Sequence, residues 1–477
     1  MHKLTSSLFA FQKKAIDSVK NKEWGGLFLE QGLGKSICAA SISLHWLQRG
    51  YVDSVLIFTK KTLVSNWANE FSGHTNYTPI TPSFSSARTT YRFFPKGGIY
   101  ILHFQSLEKE AFRLNLLFRN ERIGIIIDEA HFIKNPFSKA ATSLFRLGDQ
   151  AKRKLILTGT PIPNRPYDLW ALCRFLKKDM LGDLSFASLR RDFEIPRQGT
   201  INNYSSLQKR LESIRSILSE NIVFIQKDNS GLELPPKEYV FKTLSMDNEQ
   251  RSLYLSYLGS ERNRRELKNA LSSHRSPAQK SKNVLKKISD LLVCSSCPSY
   301  LKPGFSKITS KEKELLKLCK SLLLRKKQLI VWTYYQFTAK RLLYLLEPYG
   351  AVCVTGGTRT EIRNKLIESF KRGGSSILIA TMGSCKEGLN LQNASDAVFF
   401  DSSLRLDDIS QAQDRIHRIN QKKKCTMYFL ITRNSIEEWA NALLKVKRFF
   451  SDEVFSRNRV SEVSPVDLAE ILTRALR

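Results

Sequence analysis

At 477 residues and 42% hydrophobic content, the chain is long and apolar enough to build two or three ordinary domains. Its 76 lysines and arginines against 44 acids leave a formal charge of +32, which points to a polyanionic partner, nucleic acid before membrane, since no basic amphipathic anchor stands out. Nothing approaches the roughly eighteen apolar residues of a membrane span, the N-terminus lacks the apolar core of a secretory leader, and the eight cysteines are scattered apart from Cys294 and Cys297. The expectation is an intracellular protein, of the cytoplasm or nucleoid in a bacterium or virus and of the nucleus in a eukaryote.

Short apolar runs recur between longer amphipathic stretches. In the first half they are GGLFLE (Gly25 to Glu30), SVLIFT (Ser54 to Thr59), IYILHF (Ile99 to Phe104), GIIIDE (Gly124 to Glu129) and KLILTG (Lys154 to Gly159). In the second half they are QLIVWT (Gln328 to Thr333), AVCVTG (Ala351 to Gly356), SILIAT (Ser376 to Thr381), AVFFDS (Ala397 to Ser402) and MYFLIT (Met427 to Thr432). Strands alternating with helices predict parallel sheets covered on both faces. The pattern occurs twice, so the predicted class is α/β with two lobes, residues 1–185 and 305–445. A mainly helical protrusion and linker is expected over 186–304, and a helical tail over 446–477. Within the middle region, Glu261 to Asp290 carries nine basic residues against three acids.

EQGLGKS, Glu30 to Ser36, follows the first predicted strand. Glycines at 32 and 34 let the backbone curl so that its N–H groups face an anion. Lys35 would reach the β and γ phosphates and the Ser36 hydroxyl would ligate Mg²⁺. A second strand ends in Asp128 and Glu129. Two adjacent acids after a run of isoleucines are costly to bury without a partner. In a lobe with a phosphate loop, Asp128 can hold Mg²⁺ through water, and Glu129 can orient and deprotonate an attacking water. In the second half, QAQDRIHRINQ (Gln411 to Gln421) places Arg415 and Arg418 three residues apart, on one helical face. Arginines so presented can stabilise a transferring phosphoryl group. VCSSCP has a C-x-x-C spacing but no second ligand pair, so it does not read as a zinc site.

These motifs together resemble the Swi/Snf-type ATPases of helicase superfamily two, from LFAFQ (Leu8 to Gln12) to IEEW (Ile436 to Trp439). The resemblance implies two RecA-like lobes, ATP and Mg²⁺ as cofactors, and duplex DNA as partner. It assigns Gln12 to adenine, Gly32, Gly34, Lys35 and Ser36 to the phosphates, and His131 of DEAHFIKN to sensing of the nucleotide. TKKTLVSNW (Thr59 to Trp67) resembles a DNA-backbone segment with Lys60 where proline is usual. LTGTPIPNRPYDLW (Leu157 to Trp170) resembles a coupling motif, and Thr158 with Lys60 is expected against nucleic acid. EGLNLQ, with Gly388, resembles the segment linking DNA to nucleotide. Gln411, Arg415 and Arg418 are assigned to catalysis. FIQKDNSGLELPPK (Phe224 to Lys237) lacks the paired arginines common in the family, which implies a weaker brace between lobes. The basic residues Arg262, Arg264, Arg265 and Lys268 form a candidate DNA track. The expectation is a compact, monomeric motor without accessory domains, whose targeting comes from protein partners. A strand-separating helicase, a motor subunit of a defence or restriction complex, and a non-catalytic DNA-binding scaffold are the competing readings.

Overall fold

The computed structural model describes residues 2–82, 97–159, 166–182, 184–193, 212–214, 216–260, 267, 282–384, 390–419 and 421–455. It contains two six-stranded sheets in which every pairing is parallel. The first has the order β3-β2-β4-β5-β1-β6, with β1 Trp24–Leu29, β2 Ser54–Thr59, β3 Ile99–His103, β4 Ile123–Ile127, β5 Arg153–Leu157 and β6 Ile222–Ile225. The second has the order β7-β12-β11-β8-β10-β9, with β7 Lys237–Leu244, β8 Leu329–Thr333, β9 Ala351–Val354, β10 Ile377–Thr381, β11 Asp396–Phe399 and β12 Cys425–Thr432.

Each sheet is buried on both faces, and the alternation of side chains shows it. Ile125 and Ile127 of β4 join one apolar core with Leu56 and Phe58, while Ile126 joins another with Val55, Ile57, Leu155 and Leu157. In the second sheet Ile330 and Trp332 point to one core, Leu329 and Val331 to the other. A strand with two buried faces reads as an unbroken apolar run, which is why GIIIDE and its nine counterparts were legible. All ten expected strands are present, and the two α/β lobes with them.

The expected boundaries at 185 and 304 do not match the division of the structure. The chain separates into two compact units between Glu233 and Leu234. The region expected to be a helical insertion is shared out: β6 pairs with β1 in the first sheet, and β7 pairs along its whole length with β12 in the second. Both are edge strands. β7 is only half-buried, with Phe241 exposed, so its apolar content is too diluted to read as a core strand.

Candidate active site

In a parallel sheet, loops at the carboxyl ends of neighbouring strands share one rim. Here β2, β4, β5 and β1 are consecutive in the first sheet, and their ends deliver Lys60, Asp128 with Glu129, Thr158 with Gly159, and the EQGLGKS loop.

The loop begins as β1 ends and passes directly into helix α2, Lys35–Gln48, after helix α1, Ala10–Val19, has packed beneath it. Gly32 and Gly34 have φ of 86° and 78°, and Gly34 caps α2 in the left-handed conformation without any side-chain cap. The first amides of α2 thus have no side-chain acceptor at the cap, and they carry the positive end of the helix dipole. A side chain on Gly34 would have its Cβ 2.4 Å from Gln12 Nε2. Gln12 is buried; its Nε2 donates to Leu33 O at 3.0 Å and its Oε1 accepts from Phe9 N at 3.0 Å. It therefore braces the loop from behind. The Lys35 ammonium donates to Leu29 O at 2.9 Å. It also lies 3.2 Å from where a Cβ on Gly159 would stand, so the end of β5 closes onto the loop only because residue 159 is glycine. Ser36 occupies the second position of α2 and is partly buried.

Asp128 is buried, with its two carboxylate oxygens already engaged. Oδ2 accepts from Thr59 Oγ1 at 2.9 Å and from Trp67 Nε1 at 2.8 Å, and Oδ1 accepts from Glu129 N at 2.9 Å. Burial pushes its pKa up, the neighbouring Glu129 charge adds to this, and the donors Trp67 and Thr59 together with Lys35 work against it. Glu129 adopts φ 50°, ψ 49°, a left-handed conformation that costs a glutamate about 1–3 kcal/mol. Its carboxylate lies beside His131, whose Nδ1 is 3.1 Å from Glu129 Oε2 without hydrogen-bond alignment. Burial alone would raise the Glu129 pKa. His131, Lys60 and Lys35 outweigh it and hold this carboxyl well below the usual range. Lys60 is thus placed electrostatically beside the acid pair.

A carboxylate offers about four acceptor positions, and three on Asp128 are filled by protein. One contact is left, which fits a metal-bound water better than direct ligation. Among the described residues no cluster of three or more His, Cys, Asp or Glu side chains could form a metal cage. Mg²⁺ is usually held by one or two protein groups plus substrate phosphates and waters, and Ser36 and Asp128 are the groups that would hold it.

Three expected residues differ from the reading of the sequence. Thr158 is wholly buried at the end of β5, so in this structure it has no surface for the nucleic-acid contact assigned to it. Arg415 and Arg418 are not on a helical face. The helix Leu406–Gln413 stops before them, and the chain turns, with Arg415 N bonded to Ala412 O at 3.3 Å and Ile416 N to Gln413 O at 3.2 Å. Gln421 packs against this turn, its Nε2 donating to the carbonyls of Gln392, Ala394 and Ile416 at 3.1, 3.1 and 3.0 Å. These carbonyls are satisfied from the side, and the buried Ile416 anchors the turn. Arg415 O accepts from Leu391 N at 3.0 Å, which joins the described end of EGLNLQ to this loop. Gln411 and Arg415 are buried and Arg418 is partly exposed. Gly388, Arg262, Arg264, Arg265 and Lys268 lie outside the described residues. Cys294 and Cys297 are buried free thiols, and burial pushes Cys294 up to about 12.

Four further residues belong to this neighbourhood and carry no local signal of it: Thr59, Trp67, Glu30 and Lys227. Trp67 closes the segment TKKTLVSNW, but nothing local says that its indole N–H finds a carboxylate sixty-one positions away.

The chain is similar to known proteins along most of its length. Residues 14–300 match the SNF2-related domain and residues 310–420 the helicase conserved C-terminal domain. The chain is 27% identical over 96% of its length, and 43% of the other's, to "Probable ATP-dependent DNA helicase CHR12" of Arabidopsis thaliana. It is 24% identical over 93% of its length, and 48% of the other's, to "Putative ATP-dependent helicase/translocase YwqA" of Bacillus subtilis. The chain thus spans less than half the length of these relatives. Since the SNF2-related domain matches more than half of the chain, the chain belongs to the SNF2-related domain family.

Proposed function

We propose that the chain is an ATP-hydrolysing motor that moves along duplex DNA and remodels protein–DNA contacts or DNA structures. The observation that supports this most is the cluster at the rim of the first sheet. Lys35 stands electrostatically beside both Asp128 and Glu129, which follow one another at the end of β4, two strands from β1 in the same sheet. The relatives' names and the charge of +32 point the same way.

In this reading the amides of residues 32–36 cradle the β and γ phosphates and Lys35 draws charge from them. When bound, Mg²⁺ neutralises charge between the phosphates. Ser36 and Asp128 would hold it, the latter through water. Glu129, kept ionised, is ready to accept a proton from water at neutral pH. Gln12 sits behind the loop, where adenine recognition is proposed for it. Arg415 and Arg418 would stabilise charge on the transferring phosphoryl group, with Gln411 positioning the loop that carries them. Lys60 and the basic segment 261–290 are the candidate contacts to the DNA backbone, and duplex translocation by a monomer, targeted by protein partners, is the working form.

The test is the ATPase rate without nucleic acid and with single strands, duplex, forks and RNA, with Lys35→Ala as the inactive control. Duplex should stimulate most, and triplex displacement should proceed without strand separation. Maximal stimulation by single strands or RNA would overturn the duplex assignment. Unwinding of forks would move it to a strand-separating helicase.

A further inference from the structure

Two of the three donors that hold Asp128 come from outside the residues assigned to nucleotide chemistry. Thr59 is the last residue of β2. Trp67 lies in helix α3, Val64–His74, and is 2% exposed among Leu63, Val64 and Phe71. A buried indole N–H needs an acceptor, and most find a backbone carbonyl or water. This one donates at 2.8 Å to the same Asp128 oxygen that accepts from Thr59 Oγ1 at 2.9 Å. The third donor, Glu129 N, takes the other oxygen. Every direction of the carboxylate but one is therefore fixed by the protein.

We propose that Trp67 and Thr59 are positioning residues for the magnesium-dependent step, acting through Asp128 by fixing the rotation of its carboxylate so that its remaining lone pair faces the phosphate loop. The proposal rests on the reading of this site as an ATPase. It assigns a task to the start of α3 that no motif of the nucleotide site contains. Two donors on one oxygen determine both the plane and the tilt of the carboxylate, which a single donor cannot. Donors to Oδ2 also leave Oδ1 as the oxygen with a vacancy, so the direction of the outer-sphere contact follows from the pattern. Partners of this outer kind typically carry about 10–100-fold in metal affinity or activity. For a contact through water, the lower end is expected.

The experiment measures affinity for a fluorescent ADP analogue, once with Mg²⁺ and once with EDTA, in the full chain and in Trp67→Phe, Thr59→Val and Thr59→Ser. Phenylalanine keeps the ring and removes the donor; valine keeps the shape and removes the hydroxyl; serine keeps the hydroxyl. The gain in affinity on adding Mg²⁺ should fall about tenfold in Trp67→Phe and in Thr59→Val, while affinity in EDTA and the Thr59→Ser variant stay near wild type. The Mg²⁺ concentration giving half-maximal ATPase should rise in step. Equal losses with Mg²⁺ and with EDTA, or an unchanged magnesium gain, would show that the donors only solvate a buried carboxylate, and the proposal would be wrong. If Trp67→Phe does not fold, the same reading is taken from Thr59→Val, whose change is smaller. Absence of nucleotide binding by the wild-type chain would instead sink the ATPase reading, and this inference with it.

Discussion

Lys227 is tied twice to Glu30, the residue that opens the phosphate loop. Its backbone N–H donates to Glu30 Oε2 at 2.9 Å, and its ammonium, 2% exposed, lies 3.6 Å from Glu30 Oε1. The stretch that lacks the family's paired arginines thus still fastens the last structured turn of the first unit to the loop, with lysine and glutamate. Removing one partner of a fully buried pair costs about 3–5 kcal/mol. Glu30 keeps 27% of its side chain in solvent, so Lys227→Ala should destabilise the first unit by about 1–2 kcal/mol. Chemical denaturation reads this as a lower midpoint, and Lys227→Arg should restore most of it. An unmoved midpoint would make the pair energetically neutral.

Glu129→Gln should retain ATP binding and lose turnover. The amide can still accept a hydrogen bond from water, but it cannot take the proton at neutral pH. Because positive neighbours hold the native carboxyl well below its usual range, the base is ionised throughout the neutral region, and no loss of activity above pH 5 should trace to it. Turnover above a few per cent of wild type in the amide variant would reveal another base.

Arg418→Ala should reduce turnover by about a thousandfold or more, the range for arginine fingers, with a much smaller change in ATP affinity. Single-turnover hydrolysis beside equilibrium binding separates the two. Its partly exposed position in a turn, rather than on a helix, also means that the substitution removes no helical packing, so the melting temperature should stay close to wild type.

Neutralising Arg262, Arg264, Arg265 and Lys268 together tests the basic segment. If they lie on DNA phosphates, affinity should weaken for all sequences alike, and the slope of log affinity against log salt should flatten by about 0.9 per lost duplex contact. The DNA-independent ATPase rate should survive. An unchanged slope would return these residues to the role of a solvated surface.

What could be read in the sequence follows a physical line. Strands buried on both faces announce themselves, since Ile125, Ile126 and Ile127 must all be apolar, and glycines at 32 and 34 mark a backbone that only glycine adopts readily. Edge strands do not: β6 is four residues long, and β7 mixes lysine and glutamate with Tyr239 and Phe241. Nor does local spacing show that the helix stops at Gln413, before Arg415, or that Gln421 satisfies the Ile416 carbonyl from the side. The Trp67–Asp128 contact is invisible for a third reason, since it joins positions that only the sheet order β2-β4 makes neighbours.

The sheet order also sets a schedule. β1 carries the phosphate loop, yet one of its two neighbours is β6, in the register Gly26 with Ile222 through Leu29 with Ile225. As the chain leaves the ribosome, β1 can gain β5 early but must wait for residue 225 before its other edge is covered. Until then its open N–H and C=O groups are a template for any passing strand. A fragment ending at residue 185 would keep every nucleotide motif of the first lobe and still present that raw edge, so it should aggregate where a fragment ending at Glu233 stays in solution. The strand that begins the site is among the first made and the last to be finished.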